Sequence, residues 1–198
     1  DMGYGDPGCY GGGAAVGAAT PNIDRLAREG LRLTSCYSQQ TCTPTRSAVL
    51  TGRLPVRTGL TRPILAGDEI TQNPWEDELS LARLLSDQGY HTLLTGKWHV
   101  GEPEGMRPHD VGFDEYFGFY PAQKEITQSL DARRYPDLVL DESRMRAYEA
   151  IAPEDHLVHG FKGGRTEKLE QIESTEDMGR AEKRLADFTV ERIAELAK

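Results

Sequence analysis

Apolar residues recur at helical spacing most persistently near the end of the chain. From about Glu176 to Lys198, Leu185, Ala186, Phe188, Val190, Ile193, Leu196 and Ala197 line one side, while Glu, Lys and Arg interleave on the other. This periodicity predicts an amphipathic helix covering one face of a sheet. A second helix is expected to start at Thr20-Pro21, with a capping hydroxyl and proline at its first position, and to stop at Gly30. Ile23, Leu26 and Ala27 mark its buried face. A third helix should run from about Glu78 to Gln88, with Leu79, Leu81, Leu84 and Leu85 apolar and Gly89 as terminator. Leu31 to Tyr37 alternates, and Tyr90 to Thr95 is short with few charges, so both read as strands. The Pro-, Gly- and Thr-rich segment from Leu54 to Asn73 reads as a long surface excursion. From Tyr120 to His159 the chain is irregular and charged, which reads as a solvated insertion. His156 and His159 have a spacing that suits a metal, but no carboxylate or cysteine stands at a familiar offset, so the solvated reading prevails.

Two places in this pattern carry chemistry. Around Cys42-Thr43-Pro44-Thr45-Arg46, Pro44 suits the first turn of a helix and Gly52 the position just past its end, so a short helix is expected from about Pro44 to Thr51. Cys42 then sits at the helix mouth, where unpaired N–H groups favour an anion, and Arg46 follows on the first turn. Alone, such a cysteine reads as a buried structural thiol. The second place is Gly96-Lys97-Trp98-His99-Val100-Gly101, at the end of the strand expected over Tyr90 to Thr95. Lys97 and His99 are two apart, so both are expected on one side of the chain. Parallel α/β sheets bind ligands at the carboxyl ends of their strands.

Composition narrows the partners. The 198 residues are enough for one domain with a sizeable core, and 37% hydrophobic content with mixed charge is that of a globular chain. A formal charge of -9 argues against nucleic acid or an anionic membrane surface. The three cysteines, Cys9, Cys36 and Cys42, are too few and scattered for a disulfide framework or zinc ribbon. Cys9 and Cys36 are left either to pair or to stay as thiols. No stretch is long and apolar enough to span a bilayer.

Cys42-Thr43-Pro44-Thr45-Arg46 running into Leu50-Thr51-Gly52-Arg53 resembles the sulfatase signature, in which the cysteine is oxidised to Cα-formylglycine. Gly96-Lys97-Trp98-His99-Val100-Gly101 is similar to a second sulfatase motif, and Pro108-His109 with Gly112-Phe113-Asp114-Glu115-Tyr116-Phe117-Gly118 to a third. Asp1-Met2-Gly3-Tyr4-Gly5-Asp6 resembles the family's metal loop, of which only the second of two adjacent aspartates is present. The resemblance implies an α/β, alkaline-phosphatase-like sulfatase fold with a mostly parallel central sheet flanked by helices. It also implies that residues 1–198 are the amino-terminal portion of the catalytic domain, without its first strand and its carboxy-terminal part.

Carried over residue by residue, the resemblance makes Cys42, as formylglycine, the nucleophile and a metal ligand, and Asp1 a metal ligand. Arg46 would hold the hydrate and offset charge at the metal, Lys97 would bind a sulfate oxygen, and His99 would serve as base for sulfate release. The metal would be Ca²⁺ in preference to Mg²⁺, being hard and oxygen-liganded. Thr43, Pro44 and Arg46 would also be read by the formylglycine-generating enzyme during maturation. The Gly-Phe-Asp run would brace the loop carrying Lys97 and His99. Near Tyr120-Pro121-Ala122-Gln123 there is no serine or histidine to match a further sulfate contact of some family members. The location implied is periplasmic, secreted or lysosome-like.

The chemistry is coherent with these residue types. Sulfuryl transfer, like phosphoryl transfer, depends on positioning and on cations around a tetrahedral anion. Formylglycine hydrate carries two hydroxyls on one carbon, so one can attack sulfur and deprotonation of the other can expel sulfate. The expected activity is hydrolysis of small-molecule or carbohydrate sulfate esters. The alternatives are a phosphonate monoester or phosphodiester hydrolase of the same superfamily, or a non-catalytic chain with unmodified Cys42. A fragment of the domain by itself is expected to be inactive.

Overall fold

The computed structural model describes residues 2–64, 68, 70, 73–121, 141–142, 156–172 and 174–198. The chain divides into two compact units, Asp1–Ser38 and Gln39–Lys198. The first contains two 3-10 turns, Gly8–Tyr10 and Gly13–Val16, and helix α1, Pro21–Glu29. Its loop folds tightly on itself: a Cβ on Gly12 would lie 1.9 Å from the Gly5 carbonyl oxygen, so only glycine fits there.

Three expectations for this unit are corrected. Thr20 does not cap α1 with its side chain. Its hydroxyl instead accepts from the Gly8 N–H (2.9 Å) and donates to Asp24 (3.1 Å), while Asp24 also takes the Cys9 N–H (2.7 Å). The hydroxyl thus ties α1 to the glycine loop. Ile23 and Leu26 are exposed, and α1 buries no residue. Leu31 to Tyr37 is not a strand, and Leu31 and Tyr37 are 85% and 86% exposed. Alternation supplies a face, but a strand also needs a neighbour to complete its ladder. Here the segment is tethered instead through the Tyr10 hydroxyl on the Leu33 carbonyl (2.8 Å).

The second unit is built on a four-stranded sheet, with β1 Leu93–Lys97, β2 Glu115–Phe119, β3 His156–Phe161 and β4 Thr166–Gln171 side by side in chain order. β1 and β2 run parallel, with Leu93 opposite Glu115 and Lys97 opposite Phe119. β2–β3 and β3–β4 are antiparallel. Helices α2 (Cys42–Thr51), α3 (Pro55–Thr58), α4 (Leu81–Asp87) and α5 (Thr175–Leu196) complete an α/β unit. β1 begins three residues later and ends two residues later than the pattern suggested. Asp114, at the start of β2, accepts from the Thr92 N–H (2.9 Å) and so sets where pairing begins.

Both faces of β2 are covered, and all five of its residues are buried. Successive strand side chains point to opposite faces. Tyr116 therefore joins a cluster with Trp75, Trp98, Val100, Met106 and Phe113, while Phe117 joins one with Leu157, Ile172, Met178 and Ala181. Leu60 is buried in the first cluster and Ile64 and Ile70 pack against it, so part of the expected surface excursion is core. The expected solvated insertion is corrected where it is described: His156 to His159 belong to β3, and Leu157 and Val158 are buried. Most of that segment lies outside the described residues.

α5 begins with a capping box. The Ser174 hydroxyl accepts from the Asp177 N–H (3.1 Å) and the Asp177 carboxylate from the Ser174 N–H (2.8 Å). Its packing face is Met178, Ala181, Leu185 and Phe188, with Phe188 stacked on Phe117 at 4.1 Å between ring centres. The later part of the expected apolar face is exposed, with Val190 at 68% and Ile193 at 61%. There the helix is held through Arg192, which bonds the buried Glu115 carboxylate (3.1 and 2.7 Å). His159 (2.8 Å) and His91 (3.4 Å) reach the same carboxylate. Burial pushes Glu115 up, but these partners outweigh it and hold the carboxyl below its ordinary value. In α4, too, the apolar stripe is corrected. Ala82 is buried, whereas Leu79, Leu81 and Leu84 are exposed.

Candidate active site

α2 begins at Cys42, two residues earlier than expected, after Thr41 in extended conformation. Pro44 falls within the first turn, where its missing N–H removes no helical hydrogen bond. Gly52 ends the helix at φ 67°, the left-handed conformation that glycine adopts without strain. The inward residues are Thr43, Pro44 and Ser47, all buried, and the Ser47 hydroxyl meets that of Thr58 at 2.9 Å. A helix with polar inward residues leaves no apolar stripe, so its caps alone made it legible.

The segment after β1 is held as tightly. The N–H groups of Trp98 and His99 bond the carbonyls of Phe119 (3.0 Å) and Tyr120 (2.8 Å), continuing the ladder past Lys97. The Trp98 indole N–H reaches the carbonyls of Gly101 (2.8 Å) and Met106 (2.9 Å), and its ring stacks on Trp75 and meets the edge of Phe113. His99 takes φ 59°, so the strand alternation expected to place Lys97 and His99 on one side ends between them.

Hydrogen bonds join these two pieces. Arg46 Nη1 donates to the Lys97 carbonyl (2.6 Å), and Thr43 Oγ1 donates to the His99 carbonyl (2.8 Å). The first turn of α2, with Cys42 and Arg46, is thereby set against the Lys97 to His99 segment. Asp1 lies outside the described residues. Burial lowers the Arg46 guanidinium, while negative charge on Cys42 or Tyr116 would raise it. Arg46 Nε is buried with no hydrogen-bond partner among the described residues. A buried donor of this kind calls for an acceptor. An anion or a polyhydroxyl group beside residue 42 would supply one.

The third motif supports the second. Phe113 packs on Trp98 as described, and a Cβ on Gly112, which has φ 121°, would fall 2.5 Å from the Arg83 backbone. Asp114 accepts from Thr92, Ser86 (3.1 Å) and Lys162 (3.0 Å). Burial raises its carboxyl, yet these bonds hold it well below the ordinary range. His159 is committed to Glu115, and no group of three or more metal-ligating side chains gathers among the described residues. Sequence reasoning missed the part played by Thr43 and Ile64: Thr43 Oγ1 also accepts the Ile64 N–H (3.3 Å), and His99 Nε2 meets the Ile64 carbonyl (2.7 Å). Thr43 stood inside a recognised motif, but nothing in the sequence pointed to Ile64.

This arrangement of a cysteine and an arginine on one helical turn, against a lysine-histidine segment at a strand end, has a family. The chain belongs to the sulfatases, whose family model, described as Sulfatase, matches residues 1–194. It is 46% identical over 122 residues to human arylsulfatase A, covering 60% of this chain and 23% of that protein. Rat N-acetylgalactosamine-6-sulfatase is 42% identical over 151 residues, covering 70% and 28%. Among solved structures, the PsFucS1 sulfatase from Pseudoalteromonas sp. superposes over the whole chain and 39% of its own, with a TM-score of 0.89 and 53% identity. Ps i-CgsB, solved in complex with k-i-k-neocarrahexaose, aligns over 96% of this chain and 40% of its own at TM-score 0.59 and 25% identity. The chain thus spans about a quarter of the curated relatives and about two fifths of the structural ones.

Proposed function

We propose that this chain carries the nucleophile-bearing, amino-terminal portion of a formylglycine-dependent sulfatase that hydrolyses sulfate esters of small molecules or carbohydrates. The observation that carries the reading is the junction of α2 with the Lys97 to His99 segment, made by Arg46 on the Lys97 carbonyl and Thr43 on the His99 carbonyl. Membership of the sulfatase family supports the reaction class. The relative named N-acetylgalactosamine-6-sulfatase and the one solved with k-i-k-neocarrahexaose favour a carbohydrate ester.

Each residue then has one task. Residue 42, oxidised from cysteine, presents its hydroxyls at the start of α2. Arg46 keeps one N–H on the Lys97 carbonyl and has Nε–H left to hold an oxygen beside residue 42. Lys97 binds a sulfate oxygen, and His99 takes a proton as sulfate departs. A divalent cation would take residue 42 as one of its ligands. The donor chemistry fits calcium only after oxidation, because hydroxyl and carboxylate oxygens are hard ligands and a thiol is soft. When bound, the cation supplies positive charge and makes a coordinated hydroxyl easier to deprotonate.

Peptide mass spectrometry across residue 42 of the full-length protein, with rates on an aryl sulfate and an aryl phosphonate, tests the reading. An aldehyde in place of the thiol and a higher kcat/KM on the sulfate are expected. An intact thiol in protein that still cleaves sulfate esters would overturn it, and so would a preference for the phosphonate.

A further inference from the structure

Three hydrogen bonds close a ring through Thr43, His99 and Ile64. Thr43 Oγ1 donates to the His99 carbonyl (2.8 Å), His99 Nε2 meets the Ile64 carbonyl (2.7 Å), and the Ile64 N–H returns to Thr43 Oγ1 (3.3 Å). A carbonyl oxygen can only accept, so Nε2 carries the hydrogen and the neutral ring keeps its lone pair on Nδ1. Thr43 is fully buried and His99 is 3% exposed, so water does not compete for these groups.

The His99 backbone makes the ring matter. At φ 59°, His99 is the one non-glycine residue with positive φ among the described residues. Such a conformation persists where the surroundings over-determine it. Among the described residues they do so at three points: the His99 N–H on the Tyr120 carbonyl (2.8 Å), its carbonyl on Thr43, and its ring on Ile64. Thr43 acts on two of these three, directly at the carbonyl and through Ile64 at the ring.

We infer that Thr43 is a positioning residue for sulfate-ester cleavage: its hydroxyl, with the Ile64 peptide, locks His99 as the Nε2–H tautomer and leaves Nδ1 as the nitrogen that takes the proton. The inference rests on the sulfatase reading above and adds which nitrogen works and what selects it. The role differs from that of Thr43 in maturation, because it is exercised in the folded protein by a hydroxyl that valine lacks and serine keeps.

The test uses the full-length, matured protein with Thr43→Val and Thr43→Ser, each rate divided by the formylglycine content of the same sample. Thr43→Val should lower kcat on an aryl sulfate by about ten- to a hundredfold, as loss of an orienting partner does elsewhere, with KM little changed. Thr43→Ser should recover most of the loss. Wild-type kcat in the valine variant, or an equal loss in both variants, would overturn the inference. If the valine variant does not fold, long-range ¹H–¹⁵N correlation on histidine-labelled wild-type protein still decides. An Nε2–H ring at residue 99 supports the inference, and an Nδ1–H ring overturns it. Wild-type activity on the aryl sulfate reports separately on the sulfatase reading, because the tautomer is read without turnover.

Discussion

α2 and α5 belong to the same unit and are held by opposite means. α5 presents Met178, Ala181, Leu185 and Phe188 to the sheet and is retained mainly by apolar burial, with Arg192 on Glu115 as its polar anchor. α2 turns Thr43, Pro44 and Ser47 inward and is retained by hydrogen bonds to backbone carbonyls and to the Thr58 hydroxyl. Apolar burial is non-directional and tolerates small shifts. Hydrogen bonds weaken steeply with misalignment, so a helix held by them keeps its first turn in one orientation. The difference matches what the proposed function asks of each helix, since a covering helix needs area and a helix that presents a nucleophile would need orientation.

Substitutions should separate the two. The largest effect is expected from Cys42→Ala in the full-length protein, which should abolish turnover of an aryl sulfate while leaving the urea unfolding midpoint nearly unchanged. Lys97→Ala and His99→Ala should each lower kcat by about 10²- to 10⁴-fold, as deletion of a charge-stabilising group or a general base does. Near-normal turnover in any of the three would remove the role assigned to that residue.

In α5 the sign of the contrast reverses. Phe188→Ala removes the ring stacked on Phe117 and should cost about 2–4 kcal/mol of stability in denaturant titration, less than for a wholly buried ring. Arg192→Ala strips the Glu115 carboxylate of its arginine and should cost about 1–3 kcal/mol, the range for a charged hydrogen bond. Both should leave kcat per folded molecule close to wild type. A fall in kcat comparable to that of His99→Ala would break the distinction between the helices.

The smallest effect at neutral pH is that of the two depressed carboxyls, Asp114 and Glu115, whose ordinary values are 3.8 and 4.5. A carboxyl with a folded-state pKa below its unfolded value stabilises fully above the unfolded value, and the contribution fades as pH falls toward the folded one. Unfolding free energy should therefore be level above about pH 5 and decline below it. In Asp114→Asn the decline should be shallower. A wild-type curve that stays level down to pH 3 would show that these bonds do not favour the folded state.

Much of the site was legible because its signals are local. Pro44 marks the first turn of α2 and Gly52 its end by backbone constraints that any surroundings must respect, and the Lys97 and His99 pair stood out at a strand end. The position of β1 was less legible, because its start depends on Asp114, far along the chain. Leu31 to Tyr37 had the alternation of a strand but no ladder, and pairing is a property of two segments. Ile64 was invisible, since it contributes through its backbone N–H and carbonyl, which every residue but proline possesses.

By itself, the sequence determined the two short stretches of the candidate site, the end of α2 at Gly52, the amphipathic character of α5 and the family. Caps, periodicity and motifs are all written within a few residues of where they act. Only the tertiary structure decided which half of the apolar face of α5 is buried, where β1 begins, and that the Lys97 to His99 segment meets the first turn of α2. Those outcomes depend on partners brought together from distant parts of the chain, and a linear pattern records what each segment offers but not which segment accepts it.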